Sequence, residues 1–374
     1  MTTLADFLPT ANLMTTHHIQ QLSGSELDSY ESLVLSRPRL LIYHARRFLE
    51  VLASVTQAEL HVFGAIAGGS LEAALPCLVK TVPSLGTVCN SLPFYGSNGG
   101  LMFRDGLDSV TREMIAGDLL SAMDAFVRTR ERPLTATIIG APGVPVPTAL
   151  ETFAPTRDRR IGQVLRLPVW ASASDNREQL MARFHQKTRN ALRKPYKSGI
   201  SCTRRDDPEA YAALRDFHAQ TMAGLGGTPK PAPFFEALLT RFAEPERPLY
   251  VATQDGRSIA ALLVLRYNRT CEYYIPATTA AFRAWQPMSM LVFESMLDAM
   301  RDGYAWYNFG GTWLNQDGVH RFKARWGAED IPYDYYIRAY ATLDHLRTLG
   351  ATGAFSRFPY FYIFPYHQLE DNHA

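Results

Sequence analysis

One order of elements is written twice in this chain, and that duplication limits its fold more than any composition does. In the first half, "ELHVFGAI", "LEAALPCLVKTV" and "TVCNSLPFYG" read as strands, separated by "AGGS" and "PSLG". The loop "SNGG" leads to "SVTREMIAGDLLSAMDAFVRTR", a helix, and "LTATIIGA" follows as a further strand. In the second half, "PLYVATQ" and "IAALLVLRY" meet at Asp255-Gly256, a strong hairpin signal, and "TCEYYIPA" completes a meander after the turn Asn268-Arg269. The loop "TTAAFRAWQ", the helix "PMSMLVFESMLDAMRDG" and the strand "YAWYNFG" then repeat the earlier order. That helix has proline at its start and glycine just past its end, as helix termini prefer. The proline-rich "PGVPVPTALETFAPTRDRR" between the halves reads as a linker.

At 374 residues the chain suits two domains. The expected division is 1–150 and 151–340, with the tail 341–374 packing back on the first. Helices over Arg183–Lys194, Pro208–Leu225 and Pro233–Ala243 precede the second meander, and Pro195 argues against continuing the first of them. Helices, meander, loop, long helix and strand is the order of an acyltransferase domain of the GNAT type, in which the central strands splay around an acyl donor. The expected class is therefore α/β (α+β), two tandem GNAT-like domains, each a mixed sheet flanked by helices. Two separate sheets should meet at a cleft bordered by 183–199 and 318–326.

Composition narrows the function classes. A hydrophobic content of 47% with 20% charge is that of a globular protein, and a net charge of +2 argues against a wholly basic nucleic-acid coat. Cys77, Cys89, Cys202 and Cys271 are scattered without a CxxC pair, as reduced thiols in a cytoplasm would be. No signal peptide is evident, and no apolar run approaches the ~20 residues that span a bilayer. The aromatic tail "FPYFYIFPY" is too short to span and suits packing against a domain. There is no HExxH, no histidine spacing that suggests a metal and no GxSxG.

The chain has six lysines against 32 arginines. A lysine set between aromatics, in "GVHRFKARWGAED", therefore draws attention to its compact, tunable ammonium. As a helix, 318–326 aligns Val319, Phe322 and Trp326 in an apolar stripe, with Lys323 on its border and Arg321 pointing away. Such a cation either snorkels to water or stabilises negative charge at a dry cleft. "RFHQKTRNALRKPYKSG" has six basic residues and no acid. Its helical reading puts Arg183, Lys187, Asn190 and Lys194 in one row, which suits either phosphate or a solvated face. Tyr95 lies with three glycines in "NSLPFYGSNGG", where backbone could approach a ligand. Tyr273 and Tyr274, adjacent in a strand, face opposite sides, so one can line the splayed gap.

Taken together, "KTRNALRKPYKSGI", "SLPFYGSNGG", "EYYIPATTAAFRAWQPMSMLVFESM" and "NFGGTWLNQDGVHRFKARWGAE" resemble the Fem-type (FemABX) family of peptidoglycan-bridge aminoacyltransferases. The similarity extends over roughly 30–340. It implies transfer of an aminoacyl group from aminoacyl-tRNA, a co-substrate rather than a bound cofactor, to an amine on a nucleotide- or lipid-linked cell-envelope precursor. It implies catalytic roles for Phe322 and Lys323, and acceptor contacts for Arg189, Arg193 or neighbours such as Lys187 and for Tyr95; Tyr273 and Tyr274 are further candidate substrate contacts from their place in the strand alone. The coiled-coil arm of some relatives is absent. "SLPFYGSNGG" and "FGGTWLNQDG" look closest to branches associated with surface polysaccharides and other non-muropeptide acceptors. The expected setting is cytoplasmic, with peripheral membrane association possible and no transmembrane segment. Two other functions fit the same residues. One is N-acyl transfer from acyl-CoA or an acyl-carrier protein, weakened because Pro287 stands where a CoA-binding loop is flexible. The other is a catalytically silent module that binds a nucleotide-sugar or RNA.

Overall fold

The computed structural model describes residues 16–93 and 98–369. The first half contains β1 (His18–Gln21), α1 (Glu26–Leu35), α2 (Arg46–Thr56), β2 (Glu59–Ala67), β3 (Ser70–Val82), β4 (Gly86–Ser91), β5 (Met102–Phe103), α3 (Ser109–Arg128) and β6 (Pro133–Ile139). The stretch read as a linker contains α4 (Thr148–Phe153) and the start of β7 (Thr156–Arg166). The second half follows with α5 (Ala173–Arg183), α6 (Gln186–Lys197), β8 (Ser201–Arg205), α7 (Pro208–Gly224), α8 (Ala232–Arg241), β9 (Leu249–Gln254), β10 (Arg257–Tyr267) and β11 (Thr270–Thr278). It ends with α9 (Pro287–Arg301), β12 (Trp306–Trp313), α10 (Asp317–Ala324), β13 (Glu329–Ala339) and α11 (Leu343–Arg357). Local chemistry sets several of the starts. Asp108 accepts from the Thr111 N–H to cap α3, and Asp207 accepts from the Ala210 N–H to cap α7, with Pro208 in its first turn.

The architecture is mixed α/β with helices on the sheet faces, and the duplicated order is present. The expected pair of separate sheets is not. A single continuous sheet runs β1-β2-β3-β4-β6-β13-β7-β12-β11-β10-β9-β8, with β5 beside β3. The cause is an exchange of strands. After β6 the chain crosses over as β7 and pairs antiparallel with β12, whereas after β12 it returns as β13 to pair antiparallel with β6. β7 and β13 then pair with each other, from Glu329↔Val164 to Ile337↔Thr156, and join the halves. Each half keeps one parallel contact, β4 with β6 and β11 with β12.

Two boundaries also need correction. The helix expected over Arg183–Lys194 is two: α5 ends at Arg183, and α6 begins after His185, whose ring nitrogen accepts from the Lys187 N–H at 3.1 Å. α6 also runs through Pro195 to Lys197. A proline so near the end forgoes one backbone bond, and the remaining turn is closed by Ser198 and Ile200 N–H groups on the Lys194 and Pro195 carbonyls. The loop 278–286 contains a short 3-10 turn, Ala280–Trp285.

The tail packs against the first half. The Tyr362 N–H donates to Asn90 Oδ1 at 2.7 Å, and its carbonyl accepts from Asn90 Nδ2 at 2.8 Å and Thr137 Oγ1 at 3.0 Å. Asn90 and Thr137 are register partners across the β4/β6 pair. Phe358, Phe361 and Ile363 are buried beside this contact. All four cysteines carry free thiols. No helix among the described residues is long and apolar enough to cross a membrane.

Candidate active site

The centre of the second half is a parted pair of parallel strands. β11 and β12 are in register from Thr270↔Trp306 to Glu272↔Asn308 and then separate, β11 following β10 and β12 following β7. A bulge in β12 between Asn308 and Gly311 makes the parting. Gly310 sits there at φ +72°, and a Cβ at Gly311 would overlap the Tyr333 hydroxyl, so both positions call for glycine. Tyr273 and Phe309 face each other at the opening, 5.4 Å between ring centroids, and Phe322 closes one side, 6.3 Å from Tyr273.

Lys323 lies behind this bulge, 5% exposed. Its ammonium donates to the Gly310 carbonyl at 3.2 Å, the Gly311 carbonyl at 2.9 Å and Thr312 Oγ1 at 2.8 Å. Those partners use all three of its protons, so a reacting oxygen would have to displace one of them. Burial lowers its pKa to about 8. Of the two sequence readings, snorkelling is excluded, and the side chain is a buried cation tying α10 to the parted strand. Trp326, 1% exposed, anchors the same helix by edge contacts to Phe184 at 4.9 Å and Phe322 at 6.2 Å.

The two tyrosines face opposite sides, as a strand requires. Tyr273 belongs with Phe309 and Phe322, whereas Tyr274 packs against Tyr43 and Phe48 from the first half. Burial raises the pKa of both phenols. The Tyr274 hydroxyl is buried without a hydrogen-bond partner among the described residues. Tyr95 lies outside the described residues.

α6 packs on α9, and a pocket of about 340 Å³ opens between them and α10. Lys187, Asn190 and Lys194 line it together, with Arg325 and Phe322 opposite and Gln286 and Ser289 at the start of α9. The row expected from helical spacing is therefore one wall of a pocket, except that Arg183 belongs to α5. Arg189 and Arg193 do not line it. The Arg189 guanidinium turns back onto the Met181 and Phe184 carbonyls, and Arg193 is exposed. Gln286 adopts a left-handed conformation, φ +59°, and Pro287 fixes the first turn of α9, which has no side-chain cap. Gln286 and Ser289, at the positive end of the α9 dipole, border a pocket with three cations around it, an arrangement that favours anions.

On the opposite sheet face, a second pocket of about 230 Å³ lies where the halves meet, lined by Arg39, Leu41, Asn98, Val164, Asn308 and Ile331 among others. Asn98 is 5% exposed, and its Oδ1 has no hydrogen-bond partner among the described residues. Asn308 is held from behind by Glu272, its Nδ2 donating to both carboxylate oxygens at 3.1 Å, while its Oδ1 accepts from the Gly310 N–H at 2.9 Å. Tyr43 from the first half donates to the same carboxylate at 3.2 Å. Glu272, Asn308, Asn98 and Tyr43 were not singled out from sequence. The available signal was the acid in "TCEYY", since a carboxylate inside an apolar strand needs partners.

Residues 182–333 match the family model of the acetyltransferase (GNAT) domain. The second half of the protein carries an acyltransferase domain of the GNAT type. The fold is similar to that of FemX, with a TM-score of 0.64 and 15% identity over 85% of this chain and 97% of that one. It is also similar to the C-terminal domain of a putative lysylphosphatidylglycerol synthetase from Agrobacterium fabrum, with a TM-score of 0.52 and 10% identity over 85% and 93% of the two chains. A tandem GNAT protein from the clavulanic acid biosynthesis pathway aligns with a TM-score of 0.51 and 11% identity, over 87% of this chain and 99% of that one. No curated protein sequence matches the chain.

Proposed function

We propose that this acyltransferase moves an aminoacyl group from aminoacyl-tRNA to an amine on a nucleotide- or lipid-linked cell-envelope precursor, in the cytoplasm and without a tightly bound cofactor. In this reading 151–340 is the transferring domain, and 1–150 completes the acceptor side. The observation that carries it is the parted β11/β12 pair with an anion-favouring pocket on one face and the junction pocket on the other. The donor's phosphates would lie against Lys187, Lys194 and the start of α9, and the acceptor would enter by Asn98 and Asn308. The rigid Gln286-Pro287 start of α9 supports a donor other than acyl-CoA, whose pyrophosphate is usually wrapped by a glycine-containing loop.

The acceptor nitrogen attacks the ester carbonyl carbon, the carbonyl oxygen gathers negative charge, and the ester C–O bond then breaks. The nitrogen loses a proton, and the leaving ribose oxygen gains one. Lys323 supplies a buried positive charge at the parted strands, which favours the charged intermediate. Holding both substrates in one gap supplies a further large share of the rate.

The test offers purified protein charged tRNA, acyl-CoA and an acyl-carrier donor in turn, each with amine acceptors. Turnover with charged tRNA is expected, and turnover confined to acyl-CoA overturns the donor assignment. Lys187→Ala combined with Lys194→Ala should raise KM for the donor by roughly 10- to 100-fold with a smaller change in kcat, as loss of charge-assisted contacts predicts. An unchanged KM would return α6 to a solvated face.

A further inference from the structure

A third cavity, of about 390 Å³, lies at the other end of α9 from the phosphate pocket. Its floor is Tyr304, Ala305 and Trp306, and its walls are the 166–170 loop, Arg269 and the last turn of α9. The donor and acceptor reading makes no use of it. α9 has 15 residues, so at ~1.5 Å per residue the two cavities are separated by about 22 Å.

Two arginines without an ion-pair partner among the described residues, Arg166 and Arg269, line this groove, and no carboxylate lines it. The Arg166 guanidinium carbon lies 5.8 Å from the Trp306 ring centroid, so the indole helps hold that cation in place. Arg269 stands on the neighbouring turn. Both are exposed, and neither forms an ion pair among the described residues. Arg301 differs, being paired with Asp298 at 2.9 Å, and adds no free charge. Trp170 and Tyr304, both half-buried, are the other aromatic rings of the groove.

Unpaired guanidinium groups beside aromatic faces match a ligand with both phosphate and a flat ring. We propose that this groove binds a nucleotide unit, with its phosphate on Arg166 and Arg269 and its base against Trp170 or Tyr304. The proposal holds whichever acyl group the enzyme transfers. The nucleotide has two sources. An RNA strand reaching from this groove to the phosphate pocket would need about six stacked nucleotides at ~3.4 Å each. A free or substrate-linked nucleotide would fill the groove alone.

The test uses a fluorescein-labelled, ten-residue single-stranded RNA, with UMP and UDP as competitors, and measures anisotropy at several salt concentrations. Arg166→Ala combined with Arg269→Ala is expected to weaken binding of the occupying probe by roughly 10- to 100-fold and to lower the salt slope by about two. Trp170→Ala is expected to weaken it roughly 10-fold at unchanged salt slope. RNA bound far more tightly than UMP identifies a strand, and equal affinity identifies a nucleotide. Binding of neither probe overturns the proposal, as does RNA binding indifferent to all three substitutions. So does an outcome in which the arginine variant loses only sedimentation with phosphatidylglycerol vesicles, which would make the groove a membrane contact. Thermal melting of each variant checks that it is folded; the two arginines are exposed, whereas Trp170 packs against the core, so its variant is compared at a temperature where it remains folded.

Discussion

Replacing Lys323 by methionine lowers turnover by about 10²–10³ and leaves a folded protein, on the expectation that the buried ammonium stabilises charge at the parted strands. Two opposed terms keep the fold. Methionine removes the cost of burying a cation, but it leaves two bulge carbonyls and the Thr312 hydroxyl without their donor. Lys323→Arg rescues only partly, because a planar fork cannot place three donors where a compact ammonium does. The pH dependence follows from the lowered pKa. Below about 8 the ammonium is charged in both the folded and unfolded chain, and its burial cost is fully present. From about 8 to 10.5 the unfolded chain binds the proton and the folded chain does not, so stability gains from this group as pH rises. Turnover should run the other way, falling through about 8 as the charge is lost, and the methionine variant should lack that alkaline limb. Initial rates of both proteins across pH decide it. Equal turnover for wild type and a folded methionine variant would remove Lys323 from the chemistry and leave it as the clamp between α10 and β12.

Much of this arrangement was legible because it is local. The meander, the long helices and the aromatic border of Lys323 follow from period and turn chemistry within about a dozen residues. Strand partnership is different. Nothing in "TRDRRIGQVLR" says that it pairs with β12 rather than β6, because alternation fixes which face a side chain takes and not which neighbour the strand chooses. The charged start of β7 also adjoins a proline-rich run, so it read as linker. In α6, helical steps correctly placed Lys187, Asn190 and Lys194 in one row, but spacing could not tell that α9 and α10 would face that row. The direction of Arg189 is hidden for the same reason. Its guanidinium satisfies carbonyls left open where α5 ends, a need visible only once the break at Phe184–His185 is known. Glu272 acquires its meaning from Tyr43, 229 positions away in sequence, and no local pattern carries that contact.

Trp326→Ala should cost about 3–5 kcal/mol of folding free energy, the range for deleting a large buried aromatic side chain. α10 has only eight residues, too few to hold its shape unaided. Its position therefore depends on what its ends touch. The Trp326 ring sits against Phe184, Phe322 and Phe309, and the Trp326 backbone N–H donates to the Lys323 carbonyl at 3.0 Å. One residue earlier, the Arg325 carbonyl accepts from the His185 N–H at 2.9 Å and Thr188 Oγ1 at 3.1 Å, which fixes α6 to the same end. Removing the indole should thus loosen both Lys323 and the basic wall of the pocket between α6 and α9. Turnover per folded molecule should fall together with stability, and KM for the donor should rise. Trp326→Phe keeps an aromatic contact with Phe184 and should recover most of both losses. Chemical denaturation of the three proteins gives the stability order, and rates measured at a temperature where all remain folded give the functional one. A destabilised alanine variant with wild-type kinetics would mean that α10 is positioned by its bonds to β12 and α6 alone, and that the aromatic stripe serves the core without serving the site.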